Sequence, residues 1–261
     1  MIRLGAALAL LLLCAAAGPC DPCAVAGGSY RVAAPPAWDG RRPLPVLLFL
    51  HGWMTTPEDV LEDPAVAGPA ARAGFLLVAP EGLQKSWAHV GSPSTARDDL
   101  AFLREVRADV LDRFAVDRRA VVAAGFSQGS SMVWDLACYA AEDFTAFLSF
   151  SGGFWEPLPA ACRSGPVRLR HVHGTDDTVM PLAGRALFGP YRQGNVRQGF
   201  ARWLAEDGCA RAPDRTVNEA GLDCDEWTGC AAGRLEFCLR PGGHDIQPAT
   251  MEGGLRWALK P

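Results

Sequence analysis

The chain has 261 residues, of which 49% are hydrophobic and 21% are charged, and its formal net charge is −4. A chain of this length and composition can bury one large core, so we expect a single domain of α/β size. The charges form no acidic or basic runs, which argues against a nucleic-acid partner and against a polybasic contact with a membrane. The motifs must then decide between an enzyme and a binding protein.

The first 17 residues have the pattern of a secretory signal peptide. Arg3 gives a short positive end, residues 4–13 are apolar, and the alanines at 15–17 offer a small-residue cleavage site. The apolar run is too short for a transmembrane helix. We therefore predict an exported protein, periplasmic or extracellular, in which residues 1–17 are removed and residues 18–261 form one catalytic domain.

The cysteine count agrees with export. Nine cysteines are present, and eight remain once Cys14 leaves with the signal peptide. An even number in an exported chain predicts up to four disulfides, each worth about 2–4 kcal/mol. Four of the cysteines lie between Cys209 and Cys238, so this segment is expected to be cross-linked internally. Zinc is the alternative for such a cluster, but the spacing lacks the close pairs of zinc knuckles, and we expect no metal.

Apolar segments alternate with amphipathic ones along the rest of the chain. Strands are predicted over residues 29–33, 46–50, 75–79, 121–124, 146–150, 167–172 and 235–239, and helices over 99–114, 128–138, 196–205 and 251–259. Continuous apolar runs such as 46–50 are expected of strands that are covered on both faces. The sequence therefore predicts an α/β fold, with a mostly parallel central sheet and helices on both faces.

A Gly-x-Ser-x-Gly motif, Gly125 to Gly129, lies between a predicted strand and a predicted helix. This context is the one that a nucleophile turn requires, because it places Ser127 at the tip of a sharp bend. The helix that begins at Gln128 would direct its free N–H groups towards developing negative charge. The alternative is an ordinary Gly/Ser turn, and the flanking strand and helix favour the nucleophile.

A serine nucleophile needs a base to take its proton and an acid to orient that base. His244 is the one histidine that follows the candidate acids in the chain and lies on a Gly-flanked loop. The order Ser127, then aspartate, then His244 is that of the α/β-hydrolase fold. Asp176 and Asp177 compete for the role of acid, and residue chemistry does not separate them. His51 and His173 precede glycines at strand ends, where an imidazole commonly braces a turn.

Three motifs carry a resemblance to a known family. Gly-Phe-Ser-Gln-Gly-Ser at 125–130, His-Gly-Thr-Asp-Asp-Thr-Val-Met-Pro at 173–181 and Gly-Gly-His-Asp at 242–245 resemble the polyhydroxybutyrate depolymerase and feruloyl esterase group of secreted α/β-hydrolases. The resemblance implies ester hydrolysis through an acyl-serine, with Asp177 as the acid. It also implies an oxyanion hole made by the backbone N–H groups of Gln128 and Trp53. Relatives often have Cys or Gly where this chain has Trp53, which leaves the width of the acyl pocket open.

Aromatic residues in loops near strand ends, Trp53, Trp87 and Trp155, are the predicted substrate-binding residues, although loop anchoring is the alternative for each. The predicted substrate is a small or oligomeric ester, either a 3-hydroxybutyrate oligomer or polyester, or a feruloyl or acetyl ester of plant polysaccharide. Another hydrolase of the same fold, such as a thioesterase or peptidase, and a non-catalytic binding protein are the alternative functions. No cofactor is needed for this chemistry, and the sequence does not fix the oligomeric state.

The sequence leaves the disulfide connectivity open. Because one group of four cysteines is clustered near the C-terminus, a local pairing is the simplest expectation. The expected pairs are Cys209–Cys230, Cys224–Cys238, Cys138–Cys162 and Cys20–Cys23.

Overall fold

A computed structural model describes residues 20–219 and 221–260. The signal peptide predicted over residues 1–17 lies outside the described residues. Within the described ranges, no helix has both the length and the apolar character that crossing a membrane requires.

One ten-stranded sheet organises the described part of the chain, and two further short strands pair as a separate hairpin. The strands are β1 (Cys23–Val25), β2 (Gly28–Ala33), β3 (Leu44–Leu50), β4 (Leu76–Pro80), β5 (Val116–Phe126), β6 (Ala146–Phe150), β7 (Arg168–Gly174), β8 (Arg185–Ala186), β9 (Arg192–Gln193), β10 (Arg215–Glu219), β11 (Leu222–Trp227) and β12 (Arg234–Arg240). The order across the sheet is β1-β2-β4-β3-β5-β6-β7-β12-β11-β10. The pairs from β4 to β12 are parallel, whereas the pairs at both ends of the sheet are antiparallel.

Helices cover both faces of this sheet. They are α1 (Pro57–Glu62), α2 (Ala67–Arg72), α3 (Asp99–Arg113), α4 (Gln128–Tyr139), α5 (Val196–Glu206) and α6 (Pro248–Leu259). Side chains of α3, α4 and α5 belong to one buried apolar cluster, and side chains of α1, α2 and α6 belong to a second. Successive residues of β3 alternate between the two clusters, as the period of two in a strand requires. The sheet therefore has an apolar core on each side.

The predicted α/β architecture is confirmed, and each predicted strand and helix is present with its ends shifted by at most three residues, except that β5 begins five residues before the predicted strand. The prediction missed the antiparallel strands β1, β10 and β11 and the six-residue helices α1 and α2. These elements are short or largely exposed, so their hydrophobic pattern is weak. The strands β1, β10 and β11 extend the edges of the sheet, whereas α1 and α2 pack on one of its faces, and the parallel centre is unchanged.

The parallel centre of the sheet brings the predicted site residues to one edge. Because β3, β5, β7 and β12 run in the same direction, the loops that leave their carboxyl ends lie side by side. Trp53 follows β3, Ser127 follows β5, Asp177 follows β7 and His244 follows β12. The strand order therefore places these four residues at neighbouring positions on this edge.

The described chain contains the same four disulfides that the sequence led us to expect: Cys20–Cys23, Cys138–Cys162, Cys209–Cys230 and Cys224–Cys238. Within the described ranges, one group of residues has the composition of a metal site, Cys224 with Glu236 and Cys238. Its two sulfur atoms are bonded to each other. They are therefore not thiolates, the form in which cysteine binds metals.

Candidate active site

Ser127 lies at a strained turn between β5 and α4. Its backbone has φ 55° and ψ −120°, a conformation that residues with side chains rarely adopt. The flanking glycines make the turn possible: a Cβ at Gly125 would lie 2.5 Å from the carbonyl oxygen of Gly129, and one at Gly129 would lie 2.1 Å from that of Leu50. Neither position has room for a side chain. The motif therefore forms a tight turn that presents Ser127 at the sheet edge.

The loops after β7 and β12 bring an acid and a base together. Nδ1 of His244 lies 2.7 Å from Oδ2 of Asp177, whose side chain is fully buried. The other oxygen, Oδ1, accepts hydrogen bonds from the N–H groups of Val179 at 2.9 Å and Met180 at 2.8 Å. Because a carboxylate can only accept, the His244 proton must be on Nδ1, which leaves Nε2 free to act as a base.

The structure separates the two candidate acids. Asp176 is exposed, and its carboxylate accepts a hydrogen bond from the N–H of Gly242 at 3.2 Å. The backbone N–H of Asp176 in turn donates to the Gly242 carbonyl at 2.9 Å. Asp176 thus ties the acid loop to the histidine loop, whereas Asp177 holds the imidazole. This geometry favours Asp177 as the acid.

His244 lies beside the serine turn. Its ring packs on that of Phe126, the residue before Ser127, with 4.6 Å between the ring centroids. Among the described residues, no hydrogen bond joins Ser127 Oγ to His244 Nε2. Catalytic contacts of this kind are often long in free enzymes and shorten in the substrate complex. His244 therefore packs against the residue before Ser127, with its hydrogen bond to Asp177 already formed.

The turn after β3 is oriented for an oxyanion hole. The carbonyl oxygen of Gly52 accepts hydrogen bonds from His51 Nδ1 at 2.7 Å and Thr55 Oγ1 at 2.9 Å. Since a peptide is planar and trans, the N–H of Trp53 points away from these partners. The same glycine lies against the serine turn, because a Cβ at Gly52 would be 3.6 Å from Cβ of Ser127. The direction of the Trp53 N–H is thus fixed, in a turn that packs against Ser127.

His51 braces this turn as the sequence indicated. It is buried, and its Nε2 accepts a hydrogen bond from the N–H of Gly82 at 2.9 Å. Burial lowers the pKa of His51, so the ring is neutral and carries its proton on Nδ1, towards Gly52. This tautomer is the one that fixes the Gly52 carbonyl and hence the direction of the Trp53 N–H.

Gln128, the second predicted oxyanion donor, is the first residue of α4, where backbone N–H groups have no partner within the helix. Its side-chain amide donates to Ser86 Oγ at 3.0 Å, which anchors the helix start to the loop after β4. Sequence reasoning missed Ser86 and Thr55 as supports of this site. Both are short polar residues in loops, and their sequence context carries no signal for these contacts.

The three predicted substrate-binding tryptophans have different environments. Trp53 is 67% exposed and directly follows Gly52, which lies against the serine turn. The prediction for Trp87 is wrong: its ring is fully buried and its Nε1 donates to the His51 carbonyl at 2.8 Å, so it anchors the loop. Trp155 is only 8% exposed and stacks on His89, with 5.8 Å between the centroids. Of the three, Trp53 alone offers a face to a ligand.

Solved structures that superpose on this chain include esterases and related hydrolases. The acetyl xylan esterase from Aspergillus awamori superposes with a TM-score of 0.62 over 89% of this chain and 94% of its own, at 13% identity. An S-formylglutathione hydrolase from Staphylococcus aureus gives a TM-score of 0.61 over 89% and 93%, also at 13% identity. At these identities the likeness establishes the fold of the chain, that of the α/β-hydrolases.

Curated relatives narrow the class further. The chain is 30% identical over 231 residues to the probable feruloyl esterase C of Aspergillus terreus, covering 85% of this chain and 78% of that protein. It is 28% identical over 238 residues to feruloyl esterase C of Emericella nidulans, covering 88% and 80%. No protein-family model matches the chain. The chain belongs to the feruloyl esterase family and is a carboxylic ester hydrolase. The expected likeness to polyhydroxybutyrate depolymerases stays a prediction.

Proposed function

We propose that this protein is an exported serine esterase that cleaves feruloyl or acetyl esters of plant polysaccharide. The observation that carries the proposal is the Asp177–His244 contact of 2.7 Å beside the strained turn of Ser127. Membership of the feruloyl esterase family supports a feruloyl group as the acyl part of the substrate. The four disulfides and the predicted signal peptide support export.

The proposed reaction begins when His244 Nε2 takes the proton of Ser127 as its oxygen attacks the ester carbonyl. Asp177 stabilises the imidazolium, because its carboxylate faces Nδ1. His244 then gives the proton to the leaving alcohol, and an acyl-serine remains. Water repeats the cycle on the acyl-serine, which releases the acid and restores the Ser127 hydroxyl.

The oxyanion that forms in each half-reaction would be bound by the N–H groups of Gln128 and Trp53. The first is unpaired because it begins α4, and the second is directed by the bonds to the Gly52 carbonyl. Loss of one donor of this kind typically lowers turnover about 100- to 1,000-fold. Both donors are backbone groups, so substitutions act on them only through the residues that fix the turn.

Trp53 gives the site its aromatic surface. The ring projects from the oxyanion turn and is largely exposed. It can therefore stack on the planar ring of a hydroxycinnamoyl group, as aromatic pairs do at centroid separations of about 4.5–7 Å. A short acetyl group gains less from such a contact. We therefore expect Trp53→Ala to weaken hydrolysis of methyl ferulate more than hydrolysis of p-nitrophenyl acetate.

The test is hydrolysis by the mature protein and its Ser127→Ala variant of methyl ferulate, p-nitrophenyl acetate and butyrate, and a 3-hydroxybutyrate oligomer. Loss of the serine in a comparable triad lowers turnover about a million-fold. The matched control is Ser29→Ala, because Ser29 is a serine of β2 that bonds to Glu81. We expect the control to keep full activity and methyl ferulate to be the preferred substrate.

Other outcomes would redirect the assignment. A Ser127→Ala variant that hydrolyses these esters at the rate of the unchanged protein would remove the acyl-serine mechanism. Preference for the 3-hydroxybutyrate oligomer would move the substrate to polyesters. A folded protein without turnover on every substrate would point to a binding protein on an esterase scaffold.

A further inference from the structure

Behind the proposed triad, a chain of buried polar side chains crosses from α4 to β7. Ser149 of β6 is at its centre and is fully buried. Its Oγ lies 2.7 Å from Ser130 Oγ and 2.7 Å from Trp134 Nε1, both on α4, the helix that Ser127 begins. Ser149 is also the register partner of His171 on β7, and the two side chains meet at 2.8 Å through Nδ1. The nucleophile helix is thus bonded to β7 through one hydroxyl.

The chain continues along β7 to the loop of the proposed acid. His171 Nε2 lies 3.0 Å from His173 Nδ1, and both rings are fully buried. His173 Nε2 then lies 2.6 Å from the carbonyl oxygen of Met180 and 3.4 Å from Oδ2 of Asp177. The N–H of Met180 donates to the other oxygen of Asp177. His173 therefore contacts the acid directly and also holds a residue that binds it.

The two ends of the chain force the direction of every hydrogen bond in it. The Met180 carbonyl can only accept, so His173 donates from Nε2 and, when neutral, accepts at Nδ1. His171 must then donate from Nε2 and accept at Nδ1, which requires the Ser149 hydroxyl as donor. The lone pairs of Ser149 are left for Trp134, whose indole N–H can only donate, and for the Ser130 hydroxyl. All these bonds point from α4 towards the acid.

Neutral rings are what this site favours. Burial lowers the pKa of His173 and lowers that of His171 well below its usual value. A protonated imidazole would have two donors, and one of them would face a donor already present in the chain. Burying a neutral imidazole is unfavourable unless both of its ring nitrogens are hydrogen-bonded. Both nitrogens of His171 and both nitrogens of His173 are hydrogen-bonded. Apolar side chains would fill the same space at a lower cost.

We propose that His173 is a positioning residue for Asp177, and that Ser149 and His171 set the tautomer in which it acts. In this arrangement the Nε2–H of His173 fixes the Met180 peptide and faces the oxygen of Asp177 that holds His244. The buried series of hydrogen bonds then fixes the position of α4 relative to the loop that follows β7. This inference rests on the proposed function, because it assigns a task to a residue behind the proposed triad.

The first test does not depend on activity. In protein labelled with ¹⁵N-histidine, NMR correlation spectra report which ring nitrogen carries the proton. We expect His171 and His173 both to be neutral and protonated on Nε2 near neutral pH, since burial lowers the pKa of each ring. A proton on Nδ1 of either ring, or a doubly protonated ring near neutral pH, would overturn the proposed direction of the chain.

The second test uses His173→Leu and His173→Gln, assayed on methyl ferulate. The leucine variant loses the donor, so we expect kcat to fall about 100-fold, as small misplacements of catalytic groups do. We expect KM to change little, because the substrate does not touch His173. The glutamine variant has an amide N–H near the position of Nε2 and should recover much of the loss. The low-field proton resonance of the His244–Asp177 hydrogen bond should move upfield in the leucine variant and return in the glutamine variant.

The matched control is His89→Gln, because His89 is another buried histidine, lies outside this hydrogen-bond chain and stacks on Trp155. We expect it to reduce stability and to leave kcat and the low-field resonance unchanged. If a folded His173→Leu variant kept the original kcat and Ser127→Ala still abolished turnover, the positioning role would be rejected and the proposed function would stand. An active Ser127→Ala variant would instead reject the proposed function, and the NMR result would stand independently. If His173→Leu does not fold, the tautomers of the unchanged protein still decide.

Discussion

The two faces of β7 bury polar side chains in different ways. On the face towards α4, His171 and His173 have both nitrogens of each ring hydrogen-bonded. On the face towards α6, Arg170 forms a buried ion pair with Glu236 at 2.7 Å. The Nε of this arginine has no partner among the described residues, and burial raises the pKa of Glu236 in spite of the arginine.

The face towards α4 therefore holds a connected series of hydrogen bonds, whereas the face towards α6 holds a local group of charges. Bonds on the first face have one direction and end at the proposed acid, so a change in any member reaches Asp177. The charged groups on the second face interact only with near neighbours: Arg234 also lies 3.6 Å from Glu236, and Nε of Arg170 has no partner among the described residues. Buried ion pairs of this kind contribute little net stability, although breaking one is costly. We therefore expect substitutions on the first face to change activity and substitutions on the second face to change stability.

The largest expected effect is at the end of the connected chain. In Asp177→Asn the amide NH₂ would face His244 Nδ1, which must then accept and place its proton on Nε2, the nitrogen that should act as the base. This wrong tautomer lowers kcat about 10,000-fold in a comparable triad. The measurement is kcat on methyl ferulate, and the matched control is Asp176→Asn. Activity that depends on Asp176 instead would exchange the roles of the two neighbours.

The ion pair on the second face gives the next effect. Arg170→Met removes the cation 2.7 Å from the buried Glu236 and leaves only the more distant Arg234 at 3.6 Å, so we expect a loss of about 3–5 kcal/mol in the free energy of unfolding measured with urea. The double variant Arg170→Met with Glu236→Leu should recover most of this loss, because two apolar side chains replace the pair. In each variant kcat of the folded fraction should be unchanged. Arg118→Met, which breaks an exposed pair with Asp112, is the control and should unfold like the unchanged protein.

A single variant that lost activity and stability together would remove the distinction between the two faces. The same holds for a double variant as unstable as Arg170→Met alone. In that case the ion pair would be supporting β7 in a way that its local geometry does not show.

The contrast also explains what the sequence could predict. Apolar periodicity was enough for the parallel centre of the sheet, and the chain order was enough for Ser127 and His244 with an aspartate between them. The choice of Asp177 over Asp176 came from the family resemblance. Contacts between side chains on neighbouring strands could not be predicted from these patterns. Ser149 and His171 meet only because β6 and β7 pair in one register, and no local pattern in either strand specifies that partner.

Burial was the second quantity that the sequence did not supply. Trp87 lies in a polar loop, where an exposed ring was the natural expectation, yet its ring is fully buried and bonded to the His51 carbonyl. The strand β10 has mostly exposed side chains, so it has no apolar face for a periodicity to detect. Both cases depend on contacts between segments that are distant in the chain.

The disulfide between β11 and β12 gives a smaller expected effect on stability, on the same face of the sheet as the Arg170–Glu236 ion pair. Cys224 and Cys238 are register partners separated by 14 residues, and a loop of this size predicts about 3 kcal/mol of stabilisation. Replacing both with alanine should lower the melting temperature and leave kcat unchanged. The matched control replaces Cys20 and Cys23, whose separation of 3 residues predicts about 1 kcal/mol less. A larger loss in the control would contradict this order.

The smallest effect concerns a buried carboxylate that lacks the donors of Asp177. Asp207 accepts hydrogen bonds only from the N–H of Val167, at 3.2 and 3.3 Å, among the described residues, and burial raises its pKa from 3.8 to about 7. Asp177 instead has two backbone donors and His244. The carboxyl group of Asp207 is therefore expected to titrate near neutral pH.

The sign of the pH dependence follows from this raised pKa. Between about pH 4 and pH 7 the native protein keeps a proton on Asp207 that the unfolded chain has released, so stability falls as the pH rises through this window and is level above it. Asp207→Asn cannot ionise, so it does not place a charge in this buried site at pH 8. The amide keeps one acceptor, but its NH₂ group needs partners, which offsets part of the gain. We therefore expect this variant to be more stable than the unchanged protein at pH 8 by about 1 kcal/mol. Urea unfolding at pH 5 and pH 8 measures both, with Glu206→Gln as the neighbouring control. An unchanged slope between pH 4 and pH 7 in Asp207→Asn would show that another group releases the proton, and that burial alone does not distinguish Asp207 from Asp177.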